Sequence, residues 1–399
     1  MHKDTGWPNL WPGFHVTHSH IRADSALIWL QPDITELRCG KCLSRVNAVH
    51  ERVQRTVRDL PLVGRPLTLQ VQLMRVDCPH CGRCMQHVRW LQALSRITDA
   101  FAQTVAQCCS HMTIKHVAEL FGLHWSTVRE LDKRRLQGLL RQLQAPEPKR
   151  LVMDEFALHK GHRYASVILD ADTRRVLYIA KDRSRQAIRP FFEALGDQGC
   201  ARIEAVAMDM NTAFDLEVQH WCPQARIVYD LFHVVAKFGR EVISRVRVDV
   251  ANALRQNKPA RRVVKQAHWL LLRNAENLKD SEQVRLQEVL QANTSLMAVY
   301  VLKQSLKSLW SATSAWEWRK RWKQWHSHCQ ESGIACLQQF ANRLKKYWRG
   351  IVARVRWPMH TGQLEGINNR IKVIKRMAYG YRDTDYFFLK IKAAFPGNP

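Results

Sequence analysis

Between Leu151 and Tyr229 the apolar residues come in five short runs, separated by turns and by two helical stretches, and that order admits few folds. Leu151-Val-Met-Asp-Glu-Phe, Tyr164-Ala-Ser-Val-Ile-Leu and Arg175-Val-Leu-Tyr-Ile-Ala read as strands. Tight turns at Lys160-Gly-His162 and Asp170-Ala-Asp-Thr join them. Beyond them the pattern predicts a helix from Arg185 to Leu195, a strand from Ile203 to Met208, a helix from Thr212 to His220 and a strand from Ala225 to Tyr229. Three hairpin-linked strands followed by αβαβ describe a mixed sheet flanked by helices, an α/β core in which the first and fourth strands are neighbours.

The flanks differ in periodicity. Ala145-Pro-Glu-Pro-Lys-Arg is a linker, because each proline disfavours helix in the residue before it. Residues 97–143 read as helices, and Leu67-Thr-Leu-Gln-Val-Gln-Leu alternates like a strand within a small β-rich module from Cys39 to Cys84. Residues 1 to 35 carry one weak strand, Ala26-Leu-Ile-Trp-Leu, and little else. Residues 231–350 are helical in pattern, and Trp318, Trp322 and Trp325 share one helical face there, which suits core packing better than base stacking.

The chain of 399 residues carries a net charge of +27 with 46% hydrophobic residues, so it is a globular protein with room for two or three cores. Such a field attracts polyanions, nucleic acid first and an anionic membrane surface second. No apolar run reaches the roughly 18 residues that a spanning helix needs, and Met1-His-Lys-Asp-Thr-Gly-Trp-Pro lacks the apolar centre of a secretion signal. A cytoplasmic protein with no membrane partner is expected.

Of eleven cysteines, four form two pairs, Cys39-Gly-Lys-Cys42 and Cys78-Pro-His-Cys81, with 35 residues between them. Each pair offers two thiolates to a tetrahedral ion, so the four together predict a structural Zn²⁺ site with no open position. Cys84 and His80 are substitute ligands, and free buried thiols are the plainer alternative. From Ile114 to Leu131 the chain resembles a helix-turn-helix: Ala118 is small at the crossing, Gly122 suits a left-handed turn residue, and Val128 packs the second helix back. Trp125, Ser126, Arg129 and Lys133 would then project toward a DNA groove. An ordinary helical hairpin has the same pattern.

Three acids complete the set. Asp154 ends the first strand of the mixed sheet and Asp209 the fourth, so their carboxylates can meet one cation. Glu365 is the only acid between Glu331 and Asp383, in a stretch with eleven Lys and Arg. It opens a helix on which Leu364, Ile367, Ile371, Ile374 and Ala378 form an apolar stripe, while Glu365, Asn369, Lys372 and Arg376 form a second. Oxygen ligands of this kind favour Mg²⁺ (or Mn²⁺) over zinc. The plainer readings are a solvated helix face for Glu365 and turn or cap roles for the aspartates, with Asp209 capping the helix that follows it.

Asp154-Glu-Phe, Asp209-Met, Asp230-Leu-Phe-His233-Val-Val and Glu365-Gly-Ile-Asn with Ile-Lys-Val-Ile-Lys-Arg, ending Tyr379-Gly-Tyr, resemble the ISL3 family of bacterial insertion-sequence transposases. The resemblance covers nearly the whole chain. It implies an RNase H-like catalytic core with a DDE triad (Asp154, Asp209 and Glu365) and an all-α insertion, for which the 155 residues between Asp209 and Glu365 leave room. It also implies an Asp-x-x-His element at Asp230 and His233. The expected domains are a zinc-binding module over 1–92, a helix-turn-helix over 93–145, the first part of the core over 150–238, the insertion over 239–355 and the last core segment over 356–399. The expected activity is metal-dependent cleavage and strand transfer at terminal inverted repeats. The expected partners are the double-stranded DNA of transposon ends and target, on which the chain acts as a homodimer. Lys372, Lys375 and Arg376 are expected on the DNA backbone. A DNA-binding regulator and a nuclease without strand transfer are the alternatives.

Overall fold

The computed structural model describes residues 9–34, 37–159, 163–359 and 362–398, with Glu365 described by its backbone alone. The expected turn at Lys160-Gly-His162 lies outside the described residues. The chain divides into two compact units, one reaching to Gln142 and including Met377–Gly380, the other comprising Leu143–Arg376 and Tyr381–Pro399.

The first unit holds strands β1 (Phe14–Ile21), β2 (Ala26–Pro32), β3 (Val49–Leu62), β4 (Arg65–Cys78) and β5 (Gly82–Met85). They lie in the order β1-β2-β4-β3, with β5 paired to β4. Alternation explains β4: Leu67, Leu69, Val71 and Leu73 are buried and the residues between them are not. β1 departs from the expectation of little but one strand before residue 35. Only Phe14 and Val16 are buried, and the rest of that strand is polar apart from exposed Ile21, so its sequence carries almost no strand signal. Three helices follow, Asp99–Cys108, Ile114–Phe121 and Trp125–Gln142. Asp59 of β3 ties sheet to helices, accepting from Trp11 Nε1 at 2.8 Å and from the hydroxyl of Thr98, which caps the first of them.

The second unit is built on β6 (Arg150–His159), β7 (Arg163–Asp170), β8 (Val176–Ala180), β9 (Ala205–Met208) and β10 (Arg226–Tyr229), in the order β10-β9-β6-β7-β8. β6, β7 and β8 are antiparallel neighbours, and β6, β9 and β10 run parallel. The helices Arg185–Ala201 and Thr212–Trp221 make the crossovers. This mixed sheet with its helices is the RNase H-like arrangement. The first helix was expected to stop at Leu195, where the chain kinks at Gly196 (φ 68°) before continuing. β6 outruns the expected strand because Phe156 and Leu158 keep alternating into the core against β7.

The two sheet faces bury different partners. Leu151, Met153, Val206 and Met208 pack with the crossover helices and the insertion. Val152, Phe156, Ala205 and Ala207 pack with Ile367 and Ile371 of the Gly362–Met377 helix and with Phe387 and Ile391 of the Thr384–Ala394 helix. The insertion is all helical through Trp348–Ala353, and buried Trp318 and Trp325 with half-buried Trp322 make their stripe core.

Candidate active site and metal centre

Strand parity places the aspartates. Val152 and Phe156 face the Gly362–Met377 helix, so Asp154 between them faces it too; Ala207 puts Asp209 on the same side. Val152 and Ala207 form the last pair of the β6–β9 ladder, Asp154 and Asp209 each follow it by two residues, and the Asp209 charge acts on the Asp154 carboxyl. Tyr229 pairs with Met208, and the Asp230 N–H bonds the Met208 carbonyl at 3.4 Å, which brings Asp230 alongside Asp209. Three aspartates thus stand at the C-terminal ends of neighbouring parallel ladders, though among the described residues no three acids or histidines of this site bring their ligand atoms within 4.8 Å of one another. Capping of the next helix falls to Asn211, whose side chain accepts from the Ala213 N–H, and not to Asp209. Asp209 Oδ2 instead lies 3.3 Å from His233 Nδ1, held at the start of the Leu231–Phe238 helix.

Burial pushes the Asp154 carboxyl up, opposed by the Glu155 N–H, the His233 charge and Asn368 and reinforced by Asp209. Asn368 Nδ2 donates to Asp154 Oδ2 at 2.9 Å, which joins the Gly362–Met377 helix to β6 one turn beyond Glu365. The Asn368 Oδ1 is buried without a hydrogen-bond partner. On the other stripe Asn369, Lys372 and Arg376 are exposed, and Lys372 Nζ reaches Asn369 Oδ1 at 3.4 Å. Lys375 Nζ bonds the carbonyls of Ala157 and Leu158, anchoring the helix to β6.

At the other metal centre the β3–β4 hairpin closes the 35-residue gap, and the β4–β5 turn presents Cys78 and Cys81 to Cys39 and Cys42. Ligand atoms of these four lie within 4.8 Å of one another. Gly40 is obligatory there, since a Cβ would sit 2.5 Å from the Met85 carbonyl oxygen. Backbone N–H groups of Cys42 and Lys41 bring the Cys39 thiol down to about 6, so it is available as thiolate. Cys84 Sγ lies 3.3 Å from Cys39 Sγ, behind the cluster.

In the three-helix segment Gly122 adopts φ 57° and caps the Ile114–Phe121 helix, while Val117 and Val128 are fully buried between the helices. Arg58 of β3 clasps the turn, donating to the Phe121 and Gly122 carbonyls at 2.8 and 2.7 Å. On the Trp125–Gln142 helix Trp125 is 48% exposed with the Arg129 guanidinium 5.1 Å over its ring, while Ser126 and Lys133 are half-buried.

Known proteins carry the same three parts in the same order. Residues 36–88 match the zinc finger of the IS204/IS1001/IS1096/IS1165 transposases, and residues 86–136 match the helix-turn-helix domain of transposase family ISL3. Residues 151–391 match the ISL3 transposase family itself, a DDE family by name. The chain belongs to the ISL3 transposase family. It is 50% identical to the transposase for insertion sequence element IS1001 of Bordetella parapertussis over 393 residues, 97% of each chain. It is also 27% identical over 369 residues to the transposase for element IS1557 of Mycobacterium tuberculosis, covering 86% of this chain and 82% of that one. The chain is therefore a DNA transposase, and its cysteine cluster with the zinc-finger match supports a structural zinc. Among the described residues of the transposase no helix is long and apolar enough to cross a membrane.

Two residues of the candidate site stand outside the set that the sequence offers. Asn368 was passed over for Asn369, although it borders the Ile367 and Ile371 stripe that turns the helix toward the sheet. Glu155, pushed up by burial, accepts from Asn211 Nδ2 at 2.6 Å, a bond visible only once β6 and the helix cap meet.

Proposed function

We propose that Asp154, Asp209 and Glu365 hold Mg²⁺ (or Mn²⁺) and that the transposase uses this site to cut and join DNA at terminal inverted repeats. The observation that carries it is that Asp154 and Asp209 each follow the paired Val152 and Ala207 by two residues, on the sheet face covered by the Glu365 helix. The donor set fits a hard cation: carboxylate oxygens, one raised by burial and so in want of positive charge, beside a buried amide oxygen without a partner. When bound, divalent cations activate the attacking oxygen and stabilise the leaving one. The chain's own residues do the rest. His233 steadies the Asp209 carboxylate, Asn368 fixes the Asp154 rotamer, and Lys375 locks the Glu365 helix to β6. Lys372 and Arg376, exposed on that helix, hold the backbone near the scissile phosphate.

On this reading residues 1–92 and 93–145 read the ends, through Trp125, Ser126, Arg129 and Lys133. Residues 150–238 and 356–399 form the catalytic core, and 239–355 the insertion. Two copies act together, since two ends must be paired. The test is Asp154→Asn, Asp209→Asn and Glu365→Gln, assayed on fragments from the DNA that bounds the gene. Each is expected to lose metal-dependent nicking and joining of pre-cut ends while gel shifts persist. Substantial cleavage by any one removes that residue from the site, and nicking without joined product makes the protein a nuclease.

A further inference from the structure

At the edge of the catalytic sheet the insertion returns to the core. Gly350, on the Trp348–Ala353 helix, lies so close to β10 that a Cβ would meet the Tyr229 ring at 2.4 Å. This docking brings Arg349 beside Arg226 at the start of β10 and opens a cleft of about 660 Å³. Its walls carry Arg226, Arg319, Arg349 and Arg356 with Trp348 and Trp357. All four arginines are exposed, and among the described residues none forms an ion pair. Nearby arginines differ: Arg321 is paired with Glu317, Arg343 with Glu241 and Arg202 with Glu147. The cleft's one carboxylate, Glu204, cannot offset four guanidinium charges.

We infer that this cleft seats the sugar–phosphate backbone of target DNA without regard to its sequence. Unpaired guanidinium groups suit phosphate oxygens, which carry no sequence information. The side-chain amide available for reading bases, that of Gln224, spends its Nε2 on the carbonyls of Cys200 and Ile203 at 2.7 and 3.1 Å. Trp348 stacks on Trp318 at 6.4 Å, and Arg356 lies 5.9 Å over the Trp357 ring. A target must be accepted whatever its sequence, whereas element ends are read by the helix-turn-helix. Position agrees with this assignment. The cleft sits at the N-terminal ends of β9 and β10 and the aspartates at their C-terminal ends, four residues on. That is roughly 13 Å at about 3.3 Å per residue, less than half of the ~34 Å turn of a duplex. A separation of that size is within the reach of one duplex.

The inference rests on the proposed catalytic site, and its test separates the two. The double variant Arg349→Glu, Arg356→Glu is compared with the intact protein in binding to sequence-neutral duplex over a salt series and in joining pre-cut ends to a target plasmid. Loss of two phosphate contacts lowers the log–log salt slope by about 1.8. Joining is expected to fall at least about tenfold near physiological salt, while gel shift and cleavage of element ends stay as before. Arg349→Lys, Arg356→Lys should restore the slope, which distinguishes lost charge from misfolding. An unchanged slope and unchanged joining overturn the inference. So does a loss confined to end binding, which would give the cleft to the element's own DNA, or a stronger effect on single-stranded than on duplex probe. If Asp154→Asn still cleaves, the catalytic reading fails, and the salt slope still decides the cleft.

Discussion

The Asn368 amide ties the Gly362–Met377 helix to β6 at Asp154, as Lys375 does at Ala157 and Leu158. Asn368 Nδ2 holds Asp154 Oδ2 at 2.9 Å while its oxygen stays buried and unpartnered. Partners of this kind typically contribute 10- to 100-fold in metal affinity or activity, on the order seen for groups behind metal ligands. Asn368→Ala is accordingly expected to weaken Mn²⁺ binding, read by calorimetry without DNA, and to lower cleavage in parallel. Cleavage lost with unaltered Mn²⁺ affinity would make Asn368 a DNA contact instead. A second residue tests burial by pH. Burial pushes the Asp215 carboxyl up to about 6 from 3.8, although Tyr229 Oη donates to it at 2.8 Å. With its folded value raised, the folded state binds a proton that the unfolded chain lacks between those two pH values. Stability from this group is therefore present in acid and lost as pH rises through about 6. Asp215→Asn should raise the melting temperature above that pH, by a stability gain of about 1 kcal/mol after allowance for solvent screening, and the gain should vanish in acid. An equal gain at every pH would mean that the carboxylate's charge is not its cost.

Among the elements, the helix Trp348–Ala353 is the one with least room. Gly350→Ala places a methyl against the Tyr229 ring, and overpacking of this kind costs about 1–3 kcal/mol. The expected result is a lower midpoint in denaturant with the slope unchanged, and a full-sized loss requires that the helix move off β10. The sheet itself was legible because its strands are short apolar runs with turn residues between them, and the cysteine knuckles because metal ligation fixes spacing. β1 was illegible for the opposite reason: His18, Ser19 and His20 face outward and leave only Phe14 and Val16 to signal a strand. Of the candidate site, the strand pattern offered Asp154 and Asp209, because each is an acid at the end of a short apolar run. Asn368 was not legible, since the apolar stripe of Ile367 and Ile371 shows which side of the helix is buried but not that its neighbour meets Asp154, 214 residues away in the chain. The Arg226 and Arg349 cleft was equally hidden, because 122 residues separate its two walls in the sequence.

At the scale of the whole molecule, each buried apolar cluster among the described residues belongs to one compact unit. Two clusters lie within residues 151–391, and the other three within residues 11–128. Zinc at the cysteine cluster is therefore expected to stabilise the first unit. Its four cysteines sit over a small core of Leu37, Val46, Met74 and Val76, too few apolar side chains to hold the β4–β5 end without a metal. Structural zinc sites supply on the order of 10–16 kcal/mol of apparent folding free energy in small domains. Removing it with a strong chelator should split thermal unfolding into two transitions, with the lower one shifted down and the upper one unmoved. Binding of element ends should disappear with the lower transition, because Arg58 of β3 clasps the helix-turn-helix turn and the sheet carries that clasp. Sequence-neutral DNA should still bind at low salt, since the exposed arginines of the catalytic unit do not depend on the cysteines. Readdition of Zn²⁺ should return the lower transition and end binding together. A single transition that falls as a whole would mean that the two units fold as one, and end binding that survives chelation would leave the cysteine cluster without a structural role.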